Sequence, residues 1–319
     1  MTALLLRRPF CASFSAISLP KRLYSSAEAI AAPGWNRDVD ISRNIETSAD
    51  SAGDRWTSLH DETLTPRSLY DLLNNRIPAI RVPRFLSGHE CERMIDVISN
   101  HKIGAYNENV FPVIGSVGIT QFDFQQDKLG YFAAVEKANS LQQRFVNEAG
   151  VDIVDRVRGI LEKVAGIPVR IATEGDRRYF AGLLRVINSS ALIHSDYAPY
   201  DAPGWRIGQI VSQITWNVLL KQVRGGESVV YNRFWRGKED DEGFRRTAPS
   251  YGYTTQAVEN TQFKVVPAVE GDLSFMNSRN FHEVRPLDRP NEESRYSVSS
   301  FVGLLPPSST GGPELVMWS

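Results

Sequence analysis

An α+β chain is the fold class this sequence predicts, and three observations predict it. Apolar residues recur at helical spacing through the first half of the chain. After residue 168 they gather in short β-rich runs broken by Gly, Pro and Asn. The two patterns do not alternate as strand–helix–strand units, so helices packed outside one β core are expected, with strand spacing that suits a sandwich or barrel.

Residues 28–63 are polar with little periodicity and read as a loose arm, which with a first short helix takes the chain to residue 77. Thr65-Pro66 offers an N-cap and a proline at the first helical position, opening that helix through Leu73. Ile80, Val82 and Phe85 around Pro83 suggest a first strand. Ser87-Gly88-His89-Glu90 is a capping box, in which Ser and Glu satisfy each other's free backbone N–H groups, and it starts a helix to about Ser99. Val135, Ala138, Leu141 and Phe145 share a helical face that Gly150 ends. Ile153, Val157, Ile160, Leu161 and Val164 form the stripe of the next helix, ended by Gly166. Strands are expected over 181–187, 191–194, 210–220, 228–231, 263–269, 272–276, 282–285 and 295–302. The charged stretch 236–253 is expected as a long loop or lid, and 306–319 as a C-terminal tail beyond a domain spanning 78–305.

The 319 residues are 42% hydrophobic and 23% charged with formal charge −1, which suits a soluble globular protein and is not basic enough to imply nucleic acid. No run approaches the ~18 apolar residues of a membrane span. Cys11 and Cys91 are the only cysteines, so no disulfide framework is expected. Before Glu28 the charged residues are Arg7, Arg8, Lys21 and Arg22, set among serines. Residues 1–27 therefore read as a mitochondrial transit peptide, with the matrix as destination; without it the chain would be cytoplasmic.

His194-Ser195-Asp196, followed by His282 and then Arg295, carries the chemistry. Two imidazoles and one carboxylate are the donors a non-haem ferrous ion takes when it must keep positions open. In an extended segment residues i and i+2 share a face, so His194 and Asp196 project together. Glu270-Gly271-Asp272, an apolar run and a turn then bring His282 in on a separate strand. Arg295, Ser297 and Ser299 also share a face, and a buried Arg is costly unless an anion meets it; a dicarboxylate co-substrate would supply that anion. A lone His-x-Asp arises readily by chance, so the weight lies in the order of the pieces. His60, His89 and His101 lack partners at ligand spacing and read as surface or capping residues.

Substrate-side candidates flank the motif. Arg185 is odd inside Leu183-Leu184-Arg185-Val186-Ile187: facing inward it would bind a substrate carboxylate, facing outward it would be solvated. Asn188, Tyr197, Tyr200, Trp205, Arg206, Trp216 and Asn217 are further candidates, with Gln121 more distant; Trp216 and Asn217 have opposite facings, so at most one looks inward.

Residues 180–303 resemble the iron(II)- and 2-oxoglutarate-dependent dioxygenases, whose motif is His-x-Asp, a distal His, then Arg-x-Ser. Gly225-Gly226-Glu227 is similar to a turn of their prolyl-hydroxylase-like branch, and Glu270-Gly271-Asp272-Leu273 to the lead-in to the distal His. Arg81-Val82-Pro83-Arg84-Phe85-Leu86, entering a capped helix within 78–110, resembles the start of that branch. The resemblance implies a double-stranded β-helix, a cupin-like jelly roll flanked by the N-terminal helices. It implies Fe(II) held by His194, Asp196 and His282, and 2-oxoglutarate held at its far carboxylate by Arg295 with Ser297. It further implies O₂ as oxidant, ascorbate as a stimulant, and hydroxylation of a small molecule with release of succinate and CO₂. Collagen-type prolyl hydroxylases commonly carry Lys where Arg295 stands. Halogenating relatives have a small residue where Asp196 stands, so the carboxylate argues against halogenation; desaturation and ring closure stay open. Two other readings also stay open: hydroxylation of a peptidyl residue, and a cupin-like barrel that binds metal or ligand without turnover. The sequence gives no oligomeric state.

Overall fold

The computed structural model describes residues 55–106, 110–247, 251–309 and 311–319. The expected leader over 1–27 and the arm as far as residue 54 lie outside the described residues. The described chain opens with α1 (Pro66–Leu73), β1 (Ala79–Val82), α2 (Gly88–Ser99), β2 (Gly104–Ala105) and β3 (Gly115–Val117). It continues through α3 (Lys128–Ala138), α4 (Ser140–Arg144), α5 (Ile153–Ala165), β4 (Val169–Ile171), β5 (Thr173–Glu174) and β6 (Arg177–Arg178). The barrel strands follow: β7 (Leu183–Val186), β8 (Ala191–His194), then α6 (Ala198–Asp201), β9 (Ser212–Leu219) and β10 (Ser228–Phe234). After α7 (Lys238–Phe244) come β11 (Phe263–Val266), β12 (Leu273–Met276), β13 (Asn280–Val284), β14 (Tyr296–Leu305) and β15 (Glu314–Trp318). Among the described residues no helix is long and apolar enough to cross a membrane.

Local chemistry sets the helix ends. The Thr65 hydroxyl accepts from Ser68 N (3.1 Å) while Ser68 Oγ accepts from Thr65 N (2.9 Å). Ser87 and Glu90 close the same reciprocal box on α2. Gly150 (φ 68°) and Gly166 (φ 66°) take the left-handed conformation that stops a helix without a Cβ penalty. The single helix expected up to Gly150 is broken: α3 ends at Ala138 with Asn139 as its cap, α4 follows, and a π turn at Phe145–Ala149 completes the segment.

Two sheets form the jelly roll. Strands β7, β14, β9 and β12 lie side by side in a nine-stranded sheet that β1, β2, β3, β4 and β15 extend. Strands β8, β13, β10 and β11 form the opposing four-stranded sheet. β14 is central, with β9 along one edge and β7 and β15 sharing the other. Cross-strand partners share a face, and the register sorts the large sheet into two chemically distinct faces. Leu184, Val298, Val218 and Leu273 form one apolar row, and Phe275 aligns with Trp216; these pack into the main core with the helices. Arg81, Ser274, Asn217 and Ser299 form a row on the other face, and Arg185 aligns with Ser297 there. Polar groups thus line the space between the sheets.

Three expectations about organisation are corrected. The stretch 306–319 is not a tail: β15 pairs with β14 and in parallel with β4, and Leu315, Val316, Met317 and Trp318 are buried. Trp318→Ala is expected to remove about 3–5 kcal/mol of stability, read from urea unfolding, because its ring packs against Phe301 within the core. The described part of the polar arm is integral, since Trp56 and Leu64 are buried and Trp56 Nε1 donates to Asn75 Oδ1 (3.0 Å). Asn75 and Asn280 then clasp each other through reciprocal amide bonds of 3.1 and 2.6 Å. Finally, the stretch 236–253 contains α7, and its Phe244 and Tyr253, with Ala257 and Val258 just beyond it, cover the small sheet by packing on Ile193 and Phe281. Residues 248–250 are not described.

Candidate metal centre

His194 ends β8 and His282 sits on β13, and the sheet register pairs them directly across the two strands. Their rings lie 4.2 Å apart between centroids. Asp196 follows β8 rather than lying in it. Its backbone is nevertheless fixed: its N–H donates to the Ser278 carbonyl (2.9 Å), and its carbonyl accepts from Gln213 Nε2 (3.1 Å) and Ser278 Oγ (3.2 Å). The carboxylate Oδ2 stands 3.7 Å from His194 Nε2 and 3.4 Å from His282 Nε2. One donor atom from each of the three residues falls within 4.8 Å of the others.

Each imidazole is oriented the same way. His194 Nδ1 meets the Leu192 carbonyl at 2.6 Å and His282 Nδ1 meets the Asn280 carbonyl at 2.9 Å. With Nδ1–H donating to backbone, both Nε2 lone pairs point at the common centre, an arrangement that fixes ring and tautomer for metal binding. The Asn75–Asn280 clasp therefore sits directly behind one ligand. Burial first, then the neighbouring His282, lowers the His194 pKa to about 4, so the ring is neutral at neutral pH. Burial alone would raise the Asp196 pKa, but His194, His282 and Arg185 outweigh it and hold the group at about 2. Two imidazoles presenting Nε2 and one ionised carboxylate suit a single divalent transition metal with positions left open.

Arg295 precedes β14 and is 3% exposed. Its Nε donates to the Gly226 carbonyl (2.9 Å) and Nη1 to Ser297 Oγ (2.9 Å), while its own N–H is held by Asn188 Oδ1 (3.2 Å). Among the described residues no carboxylate forms an ion pair with it. Burial, with the Arg185 cation adding to it, pulls its pKa down to about 10, so it is still a cation at neutral pH. Arg295, Asn217, Ser274, Arg81 and Asp272 line one cavity, and there Arg81 is neutralised by Asp272 (2.5 Å). A buried guanidinium bonded only to neutral partners and facing a cavity is what an anionic ligand would satisfy.

The other candidates separate. Arg185 faces inward: Nε donates to Tyr106 Oη (2.8 Å) and Nη1 to Ser299 Oγ. Asn217 faces inward beside Arg295, whereas Trp216 points into the helix-side core. Trp205 does not reach the site. The α6 turn carries it away into an aromatic cluster with Tyr131, Phe132 and Tyr179. Arg206 pairs with Glu314 away from the triad, and Gln121 is buried with its N–H bonded to the Ser319 carbonyl. Tyr197 packs in the cover with Arg279 4.5 Å from its ring centre. Tyr200, 47% exposed, meets Trp235 edge-to-face and donates to Asp241 (3.1 Å), tying α6 to α7. Two residues near the site carried no sequence signal. Tyr106 reaches Arg185 from 79 positions away. Asp201 is pushed up to about 7, by burial first and with the Asp196 charge adding to it.

A family profile described as carrier-protein-independent halogenase WelO5 matches residues 55–309. The chain is 55% identical over 216 residues to "Leucinostatins biosynthesis cluster protein S" of Purpureocillium lilacinum, spanning 67% of this chain and 89% of that protein. It is 26% identical over 264 residues to L-gamma-glutamyl-L-propargylglycine hydroxylase of Streptantibioticus cattleyicolor, spanning 80% and 93%. The fold is similar to the crystal structure of an N-substituted L-amino acid dioxygenase from Burkholderia ambifaria in complex with alpha-KG. That match has a TM-score of 0.51 at 14% identity, covering 80% of this chain and 91% of that one.

Proposed function

This chain belongs to the family of the carrier-protein-independent halogenase WelO5, whose members are iron- and 2-oxoglutarate-dependent oxidoreductases, and from that premise we propose that it hydroxylates an unactivated C–H bond of a small specialised metabolite. The observation that carries the reading is Asp196, a carboxylate completing the donor set beside His194 and His282. It occupies the position that halogenating relatives leave to a small residue, so oxygen rather than halide transfer is the expected outcome. The two relatives support that reading: one is a protein of a leucinostatins biosynthesis cluster, the other an L-gamma-glutamyl-L-propargylglycine hydroxylase. A substrate with amino-acid character fits both.

Fe(II) bound at this site supplies, with O₂ and 2-oxoglutarate, the oxidising power for the C–H bond, and succinate and CO₂ leave. The chain's own residues do the placing. His194 and His282 present Nε2 because backbone carbonyls hold Nδ1. Arg295, which lines the cavity between the sheets, would take the far carboxylate of 2-oxoglutarate, with Ser297 bonded to its Nη1. Gly226 positions that Arg through its carbonyl and has φ of 73°. A Cβ there would lie 3.0 Å from Arg295 Cδ and 2.9 Å from Leu287 Cδ2. Gly226→Ala is thus expected to cost roughly 1–3 kcal/mol of stability and to weaken 2-oxoglutarate binding while metal affinity holds, as calorimetry with Mn(II) would read.

Purified protein given Fe(II), 2-oxoglutarate, air and a metabolite extract should release succinate in step with a product one oxygen heavier. Metal-loaded protein that yields no succinate across rich extracts would instead be a binding barrel. We also propose that residues 1–27 direct the chain to mitochondria. A reporter fused to residues 1–30 should reach the matrix, and one left in the cytosol ends that proposal.

A further inference from the structure

Arg185 is a second inward-facing guanidinium that the iron and co-substrate reading leaves unused. Its place is set by register: β7 puts it opposite Ser297 on one side and Ser116 on the other, on the polar face of the large sheet. Its bonded partners are a phenol and a hydroxyl, Tyr106 and Ser299. Among the described residues it forms no ion pair with a carboxylate; Asp196 and Asp123 act on it only through longer-range attraction. It does not line the cavity at Arg295, and the two cations repel each other. A half-buried guanidinium on the inward face, bonded only to hydroxyls, is placed to meet an anion, and its planar fork matches a carboxylate.

Charge balance points the same way. With a dication and dianionic 2-oxoglutarate bound, Asp196, Arg295 and Arg185 leave the interior with one positive charge in excess, while Arg81 is cancelled by Asp272. We propose that Arg185 is the substrate anchor and that the substrate carries a carboxylate, which Arg185 grips with Tyr106 as a flanking hydroxyl. This rests on the hydroxylase reading and narrows its substrate to carboxylate-bearing metabolites.

The test uses the full-length iron-loaded enzyme and a metabolite extract in three forms: untreated, methyl-esterified, and esterified then saponified. Succinate release should follow the untreated and saponified forms and vanish with the esterified one. Undiminished release from the esterified extract overturns the inference while leaving the hydroxylase reading intact. No succinate from any form sinks that reading, and this inference with it. With the substrate so isolated, Arg185→Gln should raise its KM roughly 50-fold or more with a smaller change in kcat, and Arg185→Lys should recover part of the loss. Calorimetric binding of 2-oxoglutarate to Mn(II)-loaded Arg185→Gln should stay within about threefold of wild type, which also shows the variant is folded. A tenfold or greater loss there would reassign Arg185 to the co-substrate and overturn the proposal.

Discussion

Asp196→Ala protein is expected to fold normally and to lose product formation by about 100-fold or more, with weaker affinity for divalent metal. Normal folding is expected because the loop is held through main chain: Ser278 and Gln213 bind the backbone of residue 196, and neither uses its carboxylate. The chemical loss is expected because the donor set would shrink to two imidazoles, with no carboxylate to balance a dication. Thermal unfolding, metal titration and product mass distinguish the two effects. An unchanged melt with unchanged turnover would remove Asp196 from the ligand set.

Arg295→Ala should raise the KM for 2-oxoglutarate by a factor of roughly 30 or more, the scale of truncating a buried charged partner. The same change should behave oppositely toward stability. Without an anion, Arg295 is a desolvated cation held by a carbonyl and a hydroxyl, and replacing such a group by an apolar one of similar volume is often neutral or stabilising. Arg295→Met is therefore expected to melt no lower than wild type in the absence of 2-oxoglutarate and to gain nothing when it is added. Wild type should rise in Tm with the co-substrate. A variant that still gains Tm on addition would show that the far carboxylate is held elsewhere.

The parts of this structure legible in the sequence are those written in short-range rules. The Thr65 and Ser87 caps, the glycine stops at 150 and 166, and the facing of His194, Arg295 and Ser297 depend on residues a few positions apart. The parts that were not legible depend on distant partners. Five residues of β15 cannot announce that β14 and β4 will enclose them. The α7 stretch looks like a solvated loop because it is charged, yet Asp240 is fully buried, met by Arg233 and Arg236. Trp205 looks like a pocket residue only because it is near the motif in sequence; one turn of helix separates it from the site. Which of Trp216 and Asn217 looks inward was settled by pairing with β14, the long-range information that periodicity lacks.

Along the strands of the large sheet, successive residues answer to different demands. Trp216 is bound to the packing of the helices, while Asn217, next to it, lines the cavity between the sheets. Mutation at alternate positions can therefore drift toward a new metabolite without eroding the scaffold, so descendants of one ancestral barrel can diversify in what they oxidise while keeping the same body.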